Sequence, residues 1–410
     1  MRVLLTDGSG LTARQVATQL SVAGHIVEAL TPDPLALTRF TRHVRRVHRV
    51  APYGADPFAW LDSALGVFGD GGFDVLFPTQ EQVAVLARFA ERLRMAGVPT
   101  AVPSFEALAR VQDKLAARAT LAELGLPQPH ATGAANAAEL AAWGHLPVFV
   151  KTPIGTATSG VRYVADPAEL VAVGSAWDAG GLFADGGVLI QSPVAGPLVM
   201  IQAVFADGQL VASHANLRVR EGASGGASHK RSVDLPEARE HLGALGARLG
   251  WHGALSADAI LSEAGLVYID INPRLVEPGN AWRAGVDLVG ALLDVAVGAS
   301  PPPAQVPGRR GVATHQLLLA VLGAAQHQHK RGAVLAELAA ALCHRGSYAG
   351  SREELTPLRH DLRTAVPVAA AAAATLALPS AWRWFSSGAV TNYALTPAAW
   401  RQILTHGDRL

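Results

Sequence analysis

The sequence predicts an α/β protein in three parts: an N-terminal parallel-sheet domain, a two-subdomain middle module with antiparallel sheets, and a mainly helical C-terminal segment. Three observations carry this. Short apolar strands alternate with amphipathic helices through the N-terminal part, which is the pattern of a parallel sheet covered by helices. Strand-like runs further on are joined by tight turns instead, as at Ala206-Asp207-Gly208 and Ser262-Glu263-Ala264. Beyond the Pro-rich run Pro301-Pro302-Pro303 with Pro307-Gly308, which reads as a linker, the chain is rich in Ala and Leu and reads as helix.

The elements follow in order. Val3-Leu4-Leu5 is a short strand, Asp7-Gly8-Ser9-Gly10 a turn, and Val16, Leu20 and Ala23 give residues 12–23 helical spacing ended by Gly24. Strands are expected at 25–30 and 73–78, then a helix from near Glu81 to Gly97. A helix at 104–124 stops at Gly125-Leu126-Pro127. A strand at 145–152 ends on a charge and is followed by a loop of small residues, 155–160. Runs 188–191, 200–205 and 209–214 look like strands of one antiparallel sheet, and 256–261 with 265–271 like a hairpin. The domain boundaries expected from this are 1–112, 113–305 (with subdomains 113–187 and 188–305) and 306–410.

Composition excludes several classes. Of 410 residues, 50% are apolar and 16% charged, too apolar for general disorder, and the net charge of +1 offers no basic face for nucleic acid. The single Cys343 argues against a disulfide framework and a cysteine zinc site. The N-terminus enters a strand directly, without signal-peptide regions, so a soluble cytoplasmic protein is expected. The apolar stretch 365–379 is shorter than the ~20 residues of a membrane span and holds Pro367 and Pro379. A packed Ala-rich helix is expected there, with no membrane partner.

Chemistry concentrates in the middle of the chain. Arginine supplies most of the basic residues; the four lysines are Lys114, Lys151, Lys230 and Lys330. Lysine is a compact point charge suited to phosphate. Lys151 ends a strand and precedes Ile154-Gly155-Thr156-Ala157-Thr158-Ser159-Gly160, whose small residues let backbone N–H groups approach phosphate oxygens. Asp270 and Asn272 are two apart on a strand and share a face, and Asp258 on the adjoining strand can face the same point. Two carboxylates and an amide oxygen suit Mg²⁺, with Mn²⁺ as the alternative. Arg274 beside them could hold a phosphoryl or carboxylate group bidentately.

This arrangement resembles the ATP-grasp superfamily, from about residue 1 to about residue 300. Val111-Gln112-Asp113-Lys114-Leu115, followed by Leu124-Gly125-Leu126-Pro127, is similar to the family's first nucleotide-lysine motif. The resemblance implies that Lys114 and Lys151 contact ATP phosphates, and that Gly155, Ser159 and Gly160 belong to a flexible phosphate loop. It implies that Gln191, with Val194 just beyond, lies at a hinge along adenine, that Asp258, Asp270 and Asn272 hold magnesium, and that Arg274 is the arginine of an Asn-Pro-Arg motif. The run from Gly225 to Asp234 resembles a loop of carboxylate–amine ligases near the carbamoyl phosphate synthetase branch. There Lys230 or Arg231 could reach the γ-phosphate or an acyl phosphate. Two departures stand out: no acidic residue follows Gln191 before Asp207, where the family binds ribose, and Asp270 stands where Glu is commoner. The activity implied is ATP- and Mg-dependent joining of a small-molecule carboxylate to an amine through an acyl phosphate, in a chain for which a homodimer is the commonest arrangement.

Other readings compete. Gly8-Ser9-Gly10-Leu11-Thr12-Ala13 fits a dinucleotide fingerprint, which would make the chain an NAD(P)-dependent reductase. Asp33 lies past Pro32 in a loop, however, and an ordinary strand-to-helix turn is expected. An ATP-grasp protein that binds nucleotide without ligating is the other alternative. Glu81 is expected to cap a helix, and His214, His229 and His252 to be structural. Trp282 and Arg283 are candidates for the acceptor pocket. His327 and His329 do not share a helix face, so no metal is expected there. Ser351-Arg352-Glu353-Glu354 reads as a helix start, and Trp382, Trp384 and Trp400 as core or interface.

Overall fold

The computed structural model describes residues 1–156, 159–299 and 305–406. Ala157 and Thr158 of the phosphate-loop candidate and the Pro301-Pro302-Pro303 linker lie outside these. Three sheets follow one another along the chain.

The first contains β1 (Arg2–Leu5), β2 (Ile26–Thr31), β3 (Arg46–Arg49) and β4 (Val75–Phe77), all parallel in the order β3-β2-β1-β4. The sequence reading missed β3. Its Arg-Val-His-Arg composition hides the apolar signal, because it is an edge strand with both terminal arginines exposed. Helix Leu11–Val22 follows β1 as expected. The helix expected from Glu81 is two short helices, Val83–Arg88 and Ala90–Met95, separated at Phe89. The helix expected at 104–124 is likewise broken, because Asp113 adopts an extended backbone and caps the second half, Lys114–Glu123.

The second sheet holds β5 (Ala131–Ala134), β6 (Val148–Lys151), β7 (Val161–Val164) and β8 (Val188–Gln191) in the order β5-β8-β6-β7. The third holds β9 (Leu198–Ala206), β10 (Gln209–Glu221), β11 (Ala227–Val233), β12 (Gly253–Ser262), β13 (Gly265–Asn272), β14 (Ala313–His315) and β15 (Arg352–Glu353). Thus β8 does not join β9 and β10 as the sequence suggested; it pairs antiparallel with β5 and β6. Strand periodicity carries no information on which of two adjacent sheets a strand enters.

The C-terminal segment is mainly helical, but it also lends β14 and β15 to the third sheet, so Arg352–Glu353 is a short strand where a helix start was expected. Its helix Ala365–Ala377 buries Val368, Ala371, Ala372 and Thr375, small side chains that allow close packing on helix Leu317–Gln328. Among the described residues no helix is long and apolar enough to cross a membrane. The last helix, Pro397–Thr405, returns to the N-terminal domain, where Trp400 and Ile403 join the core of Trp60, Leu86 and Leu108. A buried ion pair between Arg14 and Asp361, 3.4 Å apart, ties the same two regions together.

Candidate functional site

Local sequence chemistry positions the two lysines. The Asp113 carboxylate accepts the N–H groups of Leu115 (2.7 Å) and Ala116 (3.1 Å), so the helix starts at Lys114. The Lys114 N–H donates to Pro153 O at 3.0 Å, which brings that helix start to the end of β6. Lys114 Nζ then lies 3.7 Å from Asp270 Oδ1 and 3.5 Å from Gly155 O. Lys151, the last residue of β6, is 6% exposed and donates to Ile269 O at 2.8 Å. Burial lowers its pKa, with Asp270 opposing that shift.

The carboxylates come from the β12–β13 hairpin. Asp258 and Asp270 are direct cross-strand partners, and Asn272 pairs with Ser256 on the same face. Burial, reinforced by the neighbouring Asp270 charge, pushes the Asp258 pKa up to about 7. Two carboxylates held this close disfavour double ionisation unless a cation lies between them. Among the described residues no three His, Cys, Asp or Glu side chains group as a metal site. Two carboxylates with an amide oxygen form a partial donor set, suited to an ion that keeps substrate oxygens in its shell.

Arg274, just past β13, is buried. Its Nε and Nη2 donate to Glu81 Oε1 at 3.0 and 2.9 Å. Burial opposes its charge, but Glu81 holds its pKa above the ordinary arginine value. Glu81 is therefore the partner of Arg274 and not a helix cap; Gln82 precedes the helix instead.

These groups line one cleft of about 880 Å³. The structure brings Lys114, Lys151, Gln191, Val194, Asp258, Asp270, Asn272 and Arg274 to it. Gly155, Ser159 and Gly160 are not among the lining residues. Their loop folds on itself: the Thr156 N–H donates to Ser159 Oγ at 3.1 Å, and Thr152 N–H to Gly160 O at 2.9 Å. Gly160 has φ +77°, and a Cβ there would lie 2.0 Å from Thr152 Oγ1, so the loop requires glycine at that point.

Lys230 and Arg231 divide between the two faces of β11. Lys230 is 2% exposed and ion-paired with both Glu277 (2.6 Å) and Glu354, while Arg231 is exposed. Burial works against the Lys230 charge, but the two carboxylates more than offset it and raise its pKa. Neither residue lines the cleft. Lys230 is a strut under Glu277, which does line it.

None of the three histidines lines this cleft. His214 bonds Asn280 at 2.8 Å, His229 stacks on His315, and His252 pairs with Asp207 at 3.0 Å. Burial lowers the His214 pKa to about 4. Trp282 and Arg283 do not line the cleft; the guanidinium sits over the indole ring instead. Trp384, expected in core or interface, is 70% exposed at the cleft, and Tyr393 lines it as well. Sequence reasoning weighed Ser9 and Gly10 only as a dinucleotide turn, and it missed Glu277 and this C-terminal contribution as lining residues. The Gly-Ser-Gly turn was the available signal for the first two. There the Asp7 carboxylate accepts the N–H groups of Ser9 (2.9 Å) and Gly10 (2.7 Å), donors a pyrophosphate would need.

The fold defined by these sheets and this cleft is the ATP-grasp fold. Among solved structures, the chain is similar to the biotin carboxylase–β,γ-ATP complex of Campylobacter jejuni, with a TM-score of 0.60, 17% identity, and coverage of 76% of this chain and 74% of that one. It is also similar to the L-amino acid ligase of Bacillus licheniformis (TM-score 0.57, 16% identity, 77% and 79% covered). A third is N5-carboxyaminoimidazole ribonucleotide synthetase of Thermus thermophilus (TM-score 0.55, 19% identity, 76% and 81% covered). In sequence it is 26% identical over 275 residues to a biotin carboxylase of Halalkalibacterium halodurans, covering 62% of this chain. That match spans 60% of the relative's length. No protein-family model matches the chain.

Proposed function

We propose that this chain is an ATP-dependent ligase that activates a small-molecule carboxylate and joins it to an amine. The observation that carries this reading is the convergence of Lys114 and Lys151 with Asp258, Asp270, Asn272 and Arg274 on one cleft. The ATP and magnesium complexes among proteins of this fold support it: one is a biotin carboxylase domain with MgADP and bicarbonate. In this reading residues 113–305 form the nucleotide-binding module, 1–112 precede it and 306–410 complete the cleft. Both substrates are small molecules, and the setting is the cytoplasm.

The residues divide the work. Lys114 and Lys151 neutralise the phosphates, with Gln191 and Val194 along the base. Asp258, Asp270 and Asn272 would hold Mg²⁺, which offsets charge on the transferring phosphoryl group. A substrate carboxylate oxygen attacks the γ-phosphorus, the bond to the β-phosphate oxygen breaks, and ADP leaves. The amine then attacks the acyl phosphate carbon, the bond to phosphate oxygen breaks, and the amine proton leaves with phosphate or to water. Arg274, held by Glu81, stabilises the charge that builds on the carboxylate and phosphoryl oxygens. Side chains do little covalent work, so positioning and electrostatics carry the rate.

The test is ADP release with hydroxylamine as the amine, across a set of carboxylic acids. Acid-dependent ADP and hydroxamate formation, lost in Asp270→Ala, is the expected result. Mg-ATP binding without ADP release for any acid would leave a nucleotide-binding protein. A melting shift with NADPH and none with Mg-ATP would restore the reductase reading.

A further inference from the structure

The cleft does not end at the carboxylates. A volume of about 880 Å³ lies toward the upper end of the ~300–1,000 Å³ of small-molecule sites, so it has room for a second reactant beside a nucleotide. Its two ends differ in chemistry. Lysines and carboxylates occupy one. Leu11, Leu37, Leu318, Leu319, Leu322 and Phe385 line the other and belong to a single apolar cluster. This second end lies between the N-terminal domain and the C-terminal helices Leu317–Gln328 and Trp382–Thr391.

The seam between the ends is polar. Glu277 lines it, with its N–H on Thr12 Oγ1 at 3.1 Å and its carboxylate on Lys230 and Gln316, the residue before Leu317. Arg218 and Arg274 also line the cleft. The cations can receive a carboxylate at the seam, while the six residues beyond it offer no charge. Asp33, which lines the cleft too, has its carboxylate on the Leu35 N–H of its own loop at 2.7 Å.

Resting on the ligase reading above, we propose that the carboxylate substrate carries a bulky apolar body, of branched aliphatic or aromatic kind, which fills this chamber. Its carboxylate lies at the seam, toward Arg274, and its body between Leu37, Leu319 and Phe385. An acid with a polar or charged body would have to bury that group against leucines without a partner. The C-terminal segment thus sets specificity, because three of its helices, Leu317–Gln328, Ala365–Ala377 and Trp382–Thr391, supply residues to the cleft wall.

The experiment has two stages. The melting shift with Mg-ATP is measured first, then hydroxylamine-trapped ADP release with 3-phenylpropanoate, 4-methylpentanoate, acetate and succinate. The two apolar acids are expected to exceed acetate and succinate in kcat/KM by about tenfold to a hundredfold. Val390 lines the cleft from the same helix as Phe385, and Val390→Trp, which narrows it there, is expected to raise KM for 3-phenylpropanoate about tenfold or more while the Mg-ATP melting shift stays. Leu37→Trp gives the same test from the opposite wall if the first variant does not fold. A Mg-ATP shift with acetate or succinate matching the apolar acids overturns this inference and leaves the ligase reading standing. Absence of the Mg-ATP shift in the wild type overturns both.

Discussion

Arg274 and Glu81, 193 positions apart, form a buried ion pair in which Nε and Nη2 both lie within 3.0 Å of Oε1. The pair joins the loop after β4 to the end of β13, and so locks the N-terminal domain to the strand that carries Asp270 and Asn272. Glu81→Ala leaves a buried guanidinium without its counter-charge, which costs ~3–5 kcal/mol in such pairs. Urea unfolding of Glu81→Ala beside Glu81→Gln checks this: the Gln variant keeps an acceptor and loses clearly less. Equal stability of Glu81→Ala and wild type would contradict this locking role.

Asp270→Ala removes the like charge facing Asp258. The ligand-free protein is therefore expected to melt no lower than wild type, because the lost repulsion offsets the lost Lys114 contact. Turnover is expected to fall at least about a hundredfold, ~2.7 kcal/mol of transition-state stabilisation. A large loss of ligand-free stability would instead make Asp270 a structural residue.

Lys151→Ala is expected to abolish the melting shift produced by Mg-ATP. A ligand at 100 times its Kd adds ~2.7 kcal/mol to a wild-type fold, enough to read by calorimetry. An undiminished shift in the variant would remove Lys151 from the nucleotide site.

Lys230 and Arg231 should separate cleanly. Lys230→Met strands the buried Glu354 and leaves Glu277 at the cleft wall without its cation, with an expected loss of about 3 kcal/mol or more. Arg231→Ala, at an exposed position, should stay within ~0.5 kcal/mol and leave turnover unchanged. Denaturant midpoints of both variants decide it.

Asp7 supplies a pH test. Burial pushes its pKa from 3.8 up to about 6, so the folded state favours the protonated acid. The cost of its charge is absent below about pH 4, grows as pH rises, and is complete above about pH 6. Asp7→Asn carries no such charge and keeps an oxygen acceptor for Ser9 and Gly10. Its melting temperature relative to wild type should therefore climb between pH 4 and 6, by the equivalent of about 1–3 kcal/mol. A difference that does not change across that range would contradict the buried-charge account.

The sequence by itself determined what short-range rules govern. Alternation along a strand puts Asp270 and Asn272 on one face, and an Asp-Lys pair at a helix start places Lys114 one residue past its cap. The turn Ser262-Glu263-Ala264 closes the hairpin at Ser262 and Gly265, but it is a register shift between Asp258 and Ala259, not the turn, that brings Asp258 opposite Asp270. Tertiary structure alone decided the rest. Whether Lys230 or Arg231 faced inward depended on which face of β11 the sheet covered. Glu81 found Arg274 across domains, β8 entered the second sheet rather than the third, and Trp384 and Tyr393 reached the cleft from the tail. Capping and periodicity act within a few residues and are written locally. Partner choice between distant charges and apolar faces is settled by packing, where the same side chain can satisfy several arrangements and only the assembled core selects one.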